Sequence, residues 1–364
     1  MTIRLERQSL SGQLCSVLRE GIARGEWREW LPGERDLCAS LQVSRNSLRA
    51  ALQQLAREGL LRNEAGRGWY LVKTPAISTH ASEAGGVVNL LCPEPLSRLR
   101  PRQALWIDEL RALLAANGRL LKIHHSPQYF RGNPARALQR LVSQQESSCW
   151  ILVLAGAGCQ RWFERHGVPC IVAGSCHEGV NLPSVDIDYR AMCRHAAATM
   201  IRLGHRRVAL LNSAQGHAGD VASEIGFAEG VARSGCADAE SIVVRHAVDS
   251  VESVQRSLRR VMASSAPPTA FLVTNSYFYL TVASVLGELG WAIPRDVSVI
   301  SRDDDTFLSY MVPEPARYVE DPIQFARKVQ RMAQRLSQGE ITTGRETRLI
   351  PRFVMGKSLG APRT

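Results

Sequence analysis

Paired cysteines, lysine and long apolar runs are what this 364-residue chain lacks. Its nine cysteines are odd in number and scattered, with no C-x-x-C pair. That suggests neither a disulfide framework nor a zinc site, so most are expected to act as small buried hydrophobes. No apolar stretch reaches the roughly 18 residues of a membrane helix, and the N-terminus lacks the basic and apolar regions of a signal peptide. A cytoplasmic protein with no membrane partner, metal or cofactor is expected. Lysine is scarce: nearly all of the 45 basic side chains are arginine, set against 34 acidic ones for a net charge of +11. Residues 1–75 hold 12 basic and 8 acidic side chains, a net +4, and the other 289 residues hold +7. Positive charge is therefore denser at the front, as suits contact with phosphate, although arginine richness also follows genome composition.

What is present begins at residues 31–72. Leu37 and Leu41 give one helix a buried stripe, and Gln42 with Val43 makes a tight turn. In the next helix Leu48, Ala51, Leu52 and Leu55 share one face, while Arg45, Asn46, Arg49 and Gln53 share another. Ser44 stands at the N-cap position, so Arg45, Asn46 and Ser47 lead the helix. In a helix-turn-helix such residues meet base edges in the major groove, Arg pairing with guanine and Asn with adenine. A plain amphipathic helix pair with a solvated charged face is the bland alternative. After Gly59, read as a C-cap, Leu60 and Leu61 start a strand, Asn63 to Gly68 turn, and Trp69 to Val72 return. That hairpin reads as a wing with Arg67 at its tip between Gly66 and Gly68.

These residues resemble the winged-helix domain of GntR-type regulators. Leu31-Pro-Gly-Glu-Arg35, Val43-Ser-Arg45 and Gly66-Arg-Gly68 keep that family's order and spacing over about sixty residues, with Gly33 where the family usually has Ser. The resemblance implies DNA contacts at Arg35, Ser44, Arg45, Asn46, Ser47, Arg49, Gly66, Arg67 and Gly68.

Residues 1–73 form the expected head, and 74–86, small and polar without apolar period, a linker. Beyond it short apolar runs alternate with helical stretches: VVNLLC at 87, LLKIHH at 120, CWILVL at 149, PCIVAG at 169, RVALLN at 207, SIVVRH at 241, TAFLVT at 269 and DVSVIS at 296. The pattern predicts an α/β class, with parallel sheets covered by helices on both faces. Ile201-Arg-Leu-Gly-His-Arg-Arg-Val-Ala209, Gly226-Phe227, Pro268-Thr-Ala-Phe271 and Leu289-Gly-Trp-Ala-Ile-Pro-Arg-Asp-Val-Ser-Val-Ile300 resemble the effector domain of LacI and GalR regulators, which is periplasmic-binding-protein-like. The two resemblances imply a chimeric regulator of the arabinose-repressor type. Its effector and dimerisation domain would span 87–356 in two lobes, with crossovers near 186–190, 301–306 and 317–322 and a tail at 357–364. The implied partners are a near-palindromic duplex operator, a sugar-like effector closed between the lobes, and a second copy of the chain.

The resemblance places the cleft at Pro93, Glu94, Gly174, Ser175, Ser223, Asn275, Arg302 and Asp303, at strand ends. Sugar-binding relatives usually keep an Arg where this chain has Ser223, an Asp where it has Ser276, and an aromatic where it has Arg302. Losing the Arg removes the most directional donor of the pocket. Arg302 then reads as replacement charge for an acidic or phosphorylated ligand, or as an ion-paired loop residue. A domain that binds no small molecule and serves as a dimerisation scaffold is the alternative. An enzyme is not expected: Gly156-Ala-Gly158 lacks a third glycine, the His124-His125, Asp186/Asp188 and Asp303–Asp305 clusters have no metal spacing, and Ser175-Cys176-His177 sits in no nucleophile elbow.

Overall fold

A computed structural model describes residues 14–15, 17–18, 27, 30–57, 60–64, 67–71, 86–247, 250–340 and 345–363. The chain divides into two compact units, Met1–Glu83 and Ala84–Thr364, here called the head and the body.

In the head, helix α1 (Glu34–Leu41) carries Glu34 and Asp36 in its first turn, where carboxylates complement the helix dipole. It ends at Gln42 in the left-handed conformation (φ 51°), and helix α2 (Arg45–Arg57) follows at once. Strands β1 (Leu61–Glu64) and β2 (Gly68–Leu71) form an antiparallel hairpin with Leu61 opposite Leu71. Gly68 adopts φ 103°, a backbone that side chains rarely tolerate. Trp30 bridges Tyr70 from outside the hairpin. Leu37, Leu48, Leu52, Leu55, Leu61 and Trp69 close a common core, as the periodicity predicts.

The body holds two six-stranded sheets. Strands β3 (Val87–Cys92), β4 (Leu120–His125), β5 (Cys149–Val153), β6 (Cys170–Ala173) and β7 (Ser184–Ile187) belong to the first. Strands β8 (Arg207–Ser213), β9 (Glu240–His246), β10 (Ala270–Val273), β11 (Ser298–Ser301) and β12 (Ala316–Val319) belong to the second. Then β13 (Glu346–Leu349) joins the edge of the first sheet in parallel, and β14 (Arg352–Val354) joins the edge of the second antiparallel to β12. Strands β3, β5, β6, β8, β10 and β11 are buried on both faces, which is why they read as runs and not as alternation, whereas the edge strands β4 and β9 are only partly buried.

Helices α3 (Pro101–Ala116), α4 (Ala135–Ser143) and α5 (Ala157–Arg165) lie in the first lobe, and α6 (Tyr189–Arg202), α7 (Ala218–Ala232), α8 (Val251–Met262) and α9 (Ser276–Glu288) in the second. Helix α10 (Pro322–Ser337) follows β12 yet returns to the first lobe, where Phe325 and Val329 pack beside Trp106 and Leu110 of α3. Helices α6 and α7 touch backbone to backbone. A Cβ on Gly226 would lie 2.1 Å from the Arg190 carbonyl oxygen, and one on Gly230 would lie 2.4 Å from that of Arg194, so the Gly226-Phe227 motif has a packing cause.

The chain passes between lobes at Asp188, at Glu320–Asp321 and at Ile350–Pro351. A crossover at 301–306 is therefore corrected: β11 and β12 pair within one sheet, Ile300 beside Ala316, and the intervening segment is a loop of the second lobe. The passage between β13 and β14 escapes sequence reading because both strands are short and lack a fully buried position. Within the tail, the described residues 357–363 are tied to the second lobe. Ser358 is buried, its Oγ donates to the Val299 carbonyl at 2.5 Å, and the Gly360 N–H donates to Ser298 Oγ at 3.0 Å.

Candidate functional site

Two sites follow from this scaffold, one in each unit. In the head, Ser44 Oγ accepts the Ser47 N–H at 3.2 Å and lies 2.8 Å from Ser47 Oγ. The cap satisfies a first-turn amide and leaves Arg45 and Asn46 exposed at the start of α2, without a side-chain hydrogen bond among the described residues. Arg35 is exposed on α1, and Arg67 is exposed at the hairpin tip, its N–H held by the Glu64 carbonyl at 3.0 Å. Arg49 is tied down: its Nε donates to Glu34 Oε2 at 2.8 Å, while Trp69 Nε1 donates to Glu34 Oε1 at 3.2 Å. Burial opposes charge on Glu34, but these two hydrogen bonds and the Arg49 charge hold its carboxyl below the usual range. One carboxylate thus links α1, α2 and the wing. Gly59, Gly66, Val72 and the linker up to residue 85 lie outside the described residues.

In the body the carboxyl ends of the two sheets enclose an outer chamber of about 600 Å³ and an inner one of about 140 Å³. Pro93, Glu94, Asn275 and Arg302 line the outer chamber, and Gly174, Ser175 and Arg302 line the inner. Ser223 and Asp303 line neither; they stand behind the wall and hold Arg302. Its Nη1 donates to Ser223 Oγ at 3.0 Å and to Asp220 Oδ1 at 3.1 Å, and its Nε lies 3.3 Å from Asp303 Oδ1. Only 6 % of the side chain is exposed, and its guanidinium carbon sits 4.6 Å from the Tyr189 ring centroid. The Arg302 guanidinium thus lies against the Ser223 hydroxyl. It arrives with two carboxylates already paired to it.

The same end of the body carries residues that the sequence reading missed. Arg100 pairs with Asp303, Arg102 pairs with Glu320, and the Arg102 N–H donates to Asp305 Oδ1 at 3.2 Å. Burial would raise the Asp303 carboxyl, yet Arg302, Arg100 and Arg102 keep it well below the ordinary range. Ser175 Oγ donates to Asp186 Oδ2 at 2.6 Å. Burial pushes Asp186 up to about 6 despite that bond, the Ile187 N–H and nearby Arg102. Glu320 is also raised by burial, against the pull of Arg102, and its Oε2 has no hydrogen-bond partner among the described residues. The available signal was the basic run Arg98-Leu-Arg-Pro-Arg102 just beyond a strand; it reads as an ordinary charged loop until the sheet places it over the cleft.

Ser175, Cys176 and His177 do not form a nucleophile and base. Cys176 Sγ donates to the Leu182 carbonyl, burial raises its thiol, and the His177 N–H donates to Gln160 Oε1. Among the described residues no group of three His, Cys, Asp or Glu side chains could hold a metal ion, and no helix is long and apolar enough to cross a membrane. Six of the nine cysteines are buried.

Residues 10–71 match the gntR family of bacterial regulatory proteins, and residues 197–359 match the periplasmic binding protein-like domain. The transcriptional regulator AglR of Rhizobium meliloti (strain 1021) is 30% identical over 138 residues, 38% of each chain. The arabinose metabolism transcriptional repressor of Geobacillus stearothermophilus is 22% identical over 311 residues, covering 81% of this chain and 82% of that one. A solved complex of the transcriptional regulator CelR with cellobiose superposes with a TM-score of 0.66 at 19% identity, over 97% of this chain and 100% of that chain. The alignments span 38–48% of the length of AglR, of catabolite control protein A of Priestia megaterium and of the transcriptional regulator AscG of Escherichia coli (strain K12). AglR, the arabinose metabolism repressor and CelR are transcription regulators.

Proposed function

We infer that this chain, a gntR-type DNA-binding head joined to a LacI-type periplasmic-binding-protein-like body, is a transcriptional repressor whose operator affinity is set by a small metabolite bound between the lobes. The observation that carries the reading is Arg45 and Asn46 standing exposed at the start of a helix capped by Ser44. An arginine so placed can reach guanine bidentately and an asparagine adenine. Two heads on a homodimer would read two half-sites of a near-palindrome. Ligand and DNA would be coupled through the lobe arrangement by a typical 1–3 kcal/mol or so. A sugar-like ligand is supported by the cellobiose complex of CelR and by chambers at the carboxyl ends of both sheets.

Footprinting on DNA upstream of the chain's own and adjacent genes tests this. A protected, near-symmetric site is expected, with log affinity falling against log salt by about 0.9 per neutralised phosphate. Equal affinity for all duplexes at every salt concentration overturns it. One observation favours a second reading, a scaffold that senses nothing: Arg302 and the Arg100–Asp303 and Arg102–Glu320 pairs supply the inner chamber with its own charge partners. A metabolite panel that leaves both the melting temperature and the operator affinity unchanged would select it.

A further inference from the structure

The outer chamber carries a charge pattern that the inner one does not. Four arginines line it. Arg100 and Arg302 are neutralised by Asp303 and Asp220. Arg98 and Arg131 have no hydrogen-bonded or ion-paired side chain among the described residues, and both are exposed. They stand beyond the ends of β3 and β4, neighbouring parallel strands that pair from Val87 beside Leu120 to Cys92 beside His125. Two sequence-distant guanidinium groups are thereby brought to the same wall. Of the carboxylates on that wall Asp220 is taken by Arg302, which leaves Glu94. Helices α5 and α7 also open on the chamber at Gly156 and His217, neither of which caps its helix with a side chain, so their first-turn amides add to the positive field. Phe130 from the first lobe and Phe278 from the second supply apolar lining.

We propose that the outer chamber binds an acidic polyhydroxy compound, a sugar acid or a sugar phosphate, whose anionic group is clamped by Arg98 and Arg131. This inference rests on the cleft being the effector site. Guanidinium pairs match the planar oxygens of carboxylate and the tetrahedral oxygens of phosphate alike. Glu94 and Asn275 accept and donate at hydroxyls, and the two phenyl rings cover the carbon faces of the ligand. Arg302, already paired with Asp220 and Asp303, is a wall residue and not the anion's partner.

The test uses the full-length protein with glucose, gluconate, glucuronate, glucose 6-phosphate and 6-phosphogluconate at constant ionic strength, read by thermal shift and calorimetry. At least one anion is expected to bind tenfold or more tighter than glucose, and the preference between the acids and the phosphates tells whether the clamp takes a carboxylate or a phosphate. Arg98→Gln and Arg131→Gln are each expected to weaken that anion about tenfold, and the double variant to reduce it to the level of glucose. The proposal is overturned if glucose binds as tightly as the anions, if the double variant binds the anion as the native chain does, or if no anion binds. DNA affinity of the same preparations without ligand is measured alongside. Intact DNA binding with tight glucose binding rejects the anion clamp and keeps the regulator reading, whereas DNA binding absent both without ligand and with each of the five compounds rejects the regulator.

Discussion

Arg45 in the head and Arg302 in the body carry the same guanidinium under opposite conditions. Arg45 is exposed, leads a capped helix and has no hydrogen-bonded or ion-paired side chain among the described residues, whereas Arg302 is buried between two carboxylates and a serine hydroxyl. An exposed arginine keeps its donors for something that arrives, and phosphates or base edges suit it. A buried one has its donors committed when the protein folds, so its loss is felt first in stability. Arg49 lies between the extremes, exposed yet bonded to Glu34.

Removing the buried partner gives the largest effect that separates the two regions. Arg302→Ala leaves Asp220 and Asp303 without their main counter-charge, and the body should lose about 3–5 kcal/mol of unfolding free energy in denaturant titration. An unchanged midpoint would place Arg302 with the exposed arginines and break the comparison. Next comes Asp186, whose folded carboxyl titrates near 6, above its ordinary value of 3.8. Because the folded value is raised, its stability contribution is complete below about pH 4 and is lost as pH rises through 6. Asp186→Asn should match the native chain near pH 4 and exceed it at pH 7.5 by on the order of 2 kcal/mol. Parallel stability profiles would exclude this.

In the head the effects fall on binding instead of folding. Arg45→Ala should cost roughly 1–3 kcal/mol of specific DNA affinity with the melting temperature unchanged. Equal losses on specific and random duplex would assign Arg45 to phosphate. Arg49→Ala should cost less in DNA binding than Arg45→Ala in the same assay, since its donor is shared with a carboxylate. The smallest change is expected for Glu34→Gln. With Glu34 partly exposed, it should destabilise the head by about 0.5–1 kcal/mol, and it should steepen the salt dependence of DNA binding as Arg49 is released.

The head was legible because its signals are local. Leu48, Ala51, Leu52 and Leu55 keep helical spacing, and Ser44 caps within three residues of its acceptor amide. The buried strands of the body were legible for a related reason: a strand covered on both faces must be apolar throughout. Where cause and residue are far apart in the chain the reading failed. Arg100 answers Asp303 and Arg102 answers Glu320 across some two hundred positions, and no pattern in the chain announces such a pair. Strands β13 and β14 failed for want of burial, since half-exposed edge strands have little need of hydrophobic residues. Arg302 was singled out, but whether its charge was free or matched depended on Asp220, which only the fold brings near.

The last two strands have a consequence for synthesis. Residues 346–354 supply one outer strand to each lobe, so a nascent chain that stops short of them leaves both sheets with an unpaired border at once. A ribosome releasing such a product would deliver β7 and β12, mostly buried strands, as bare rims that the finished polypeptide covers with the more polar β13 and β14.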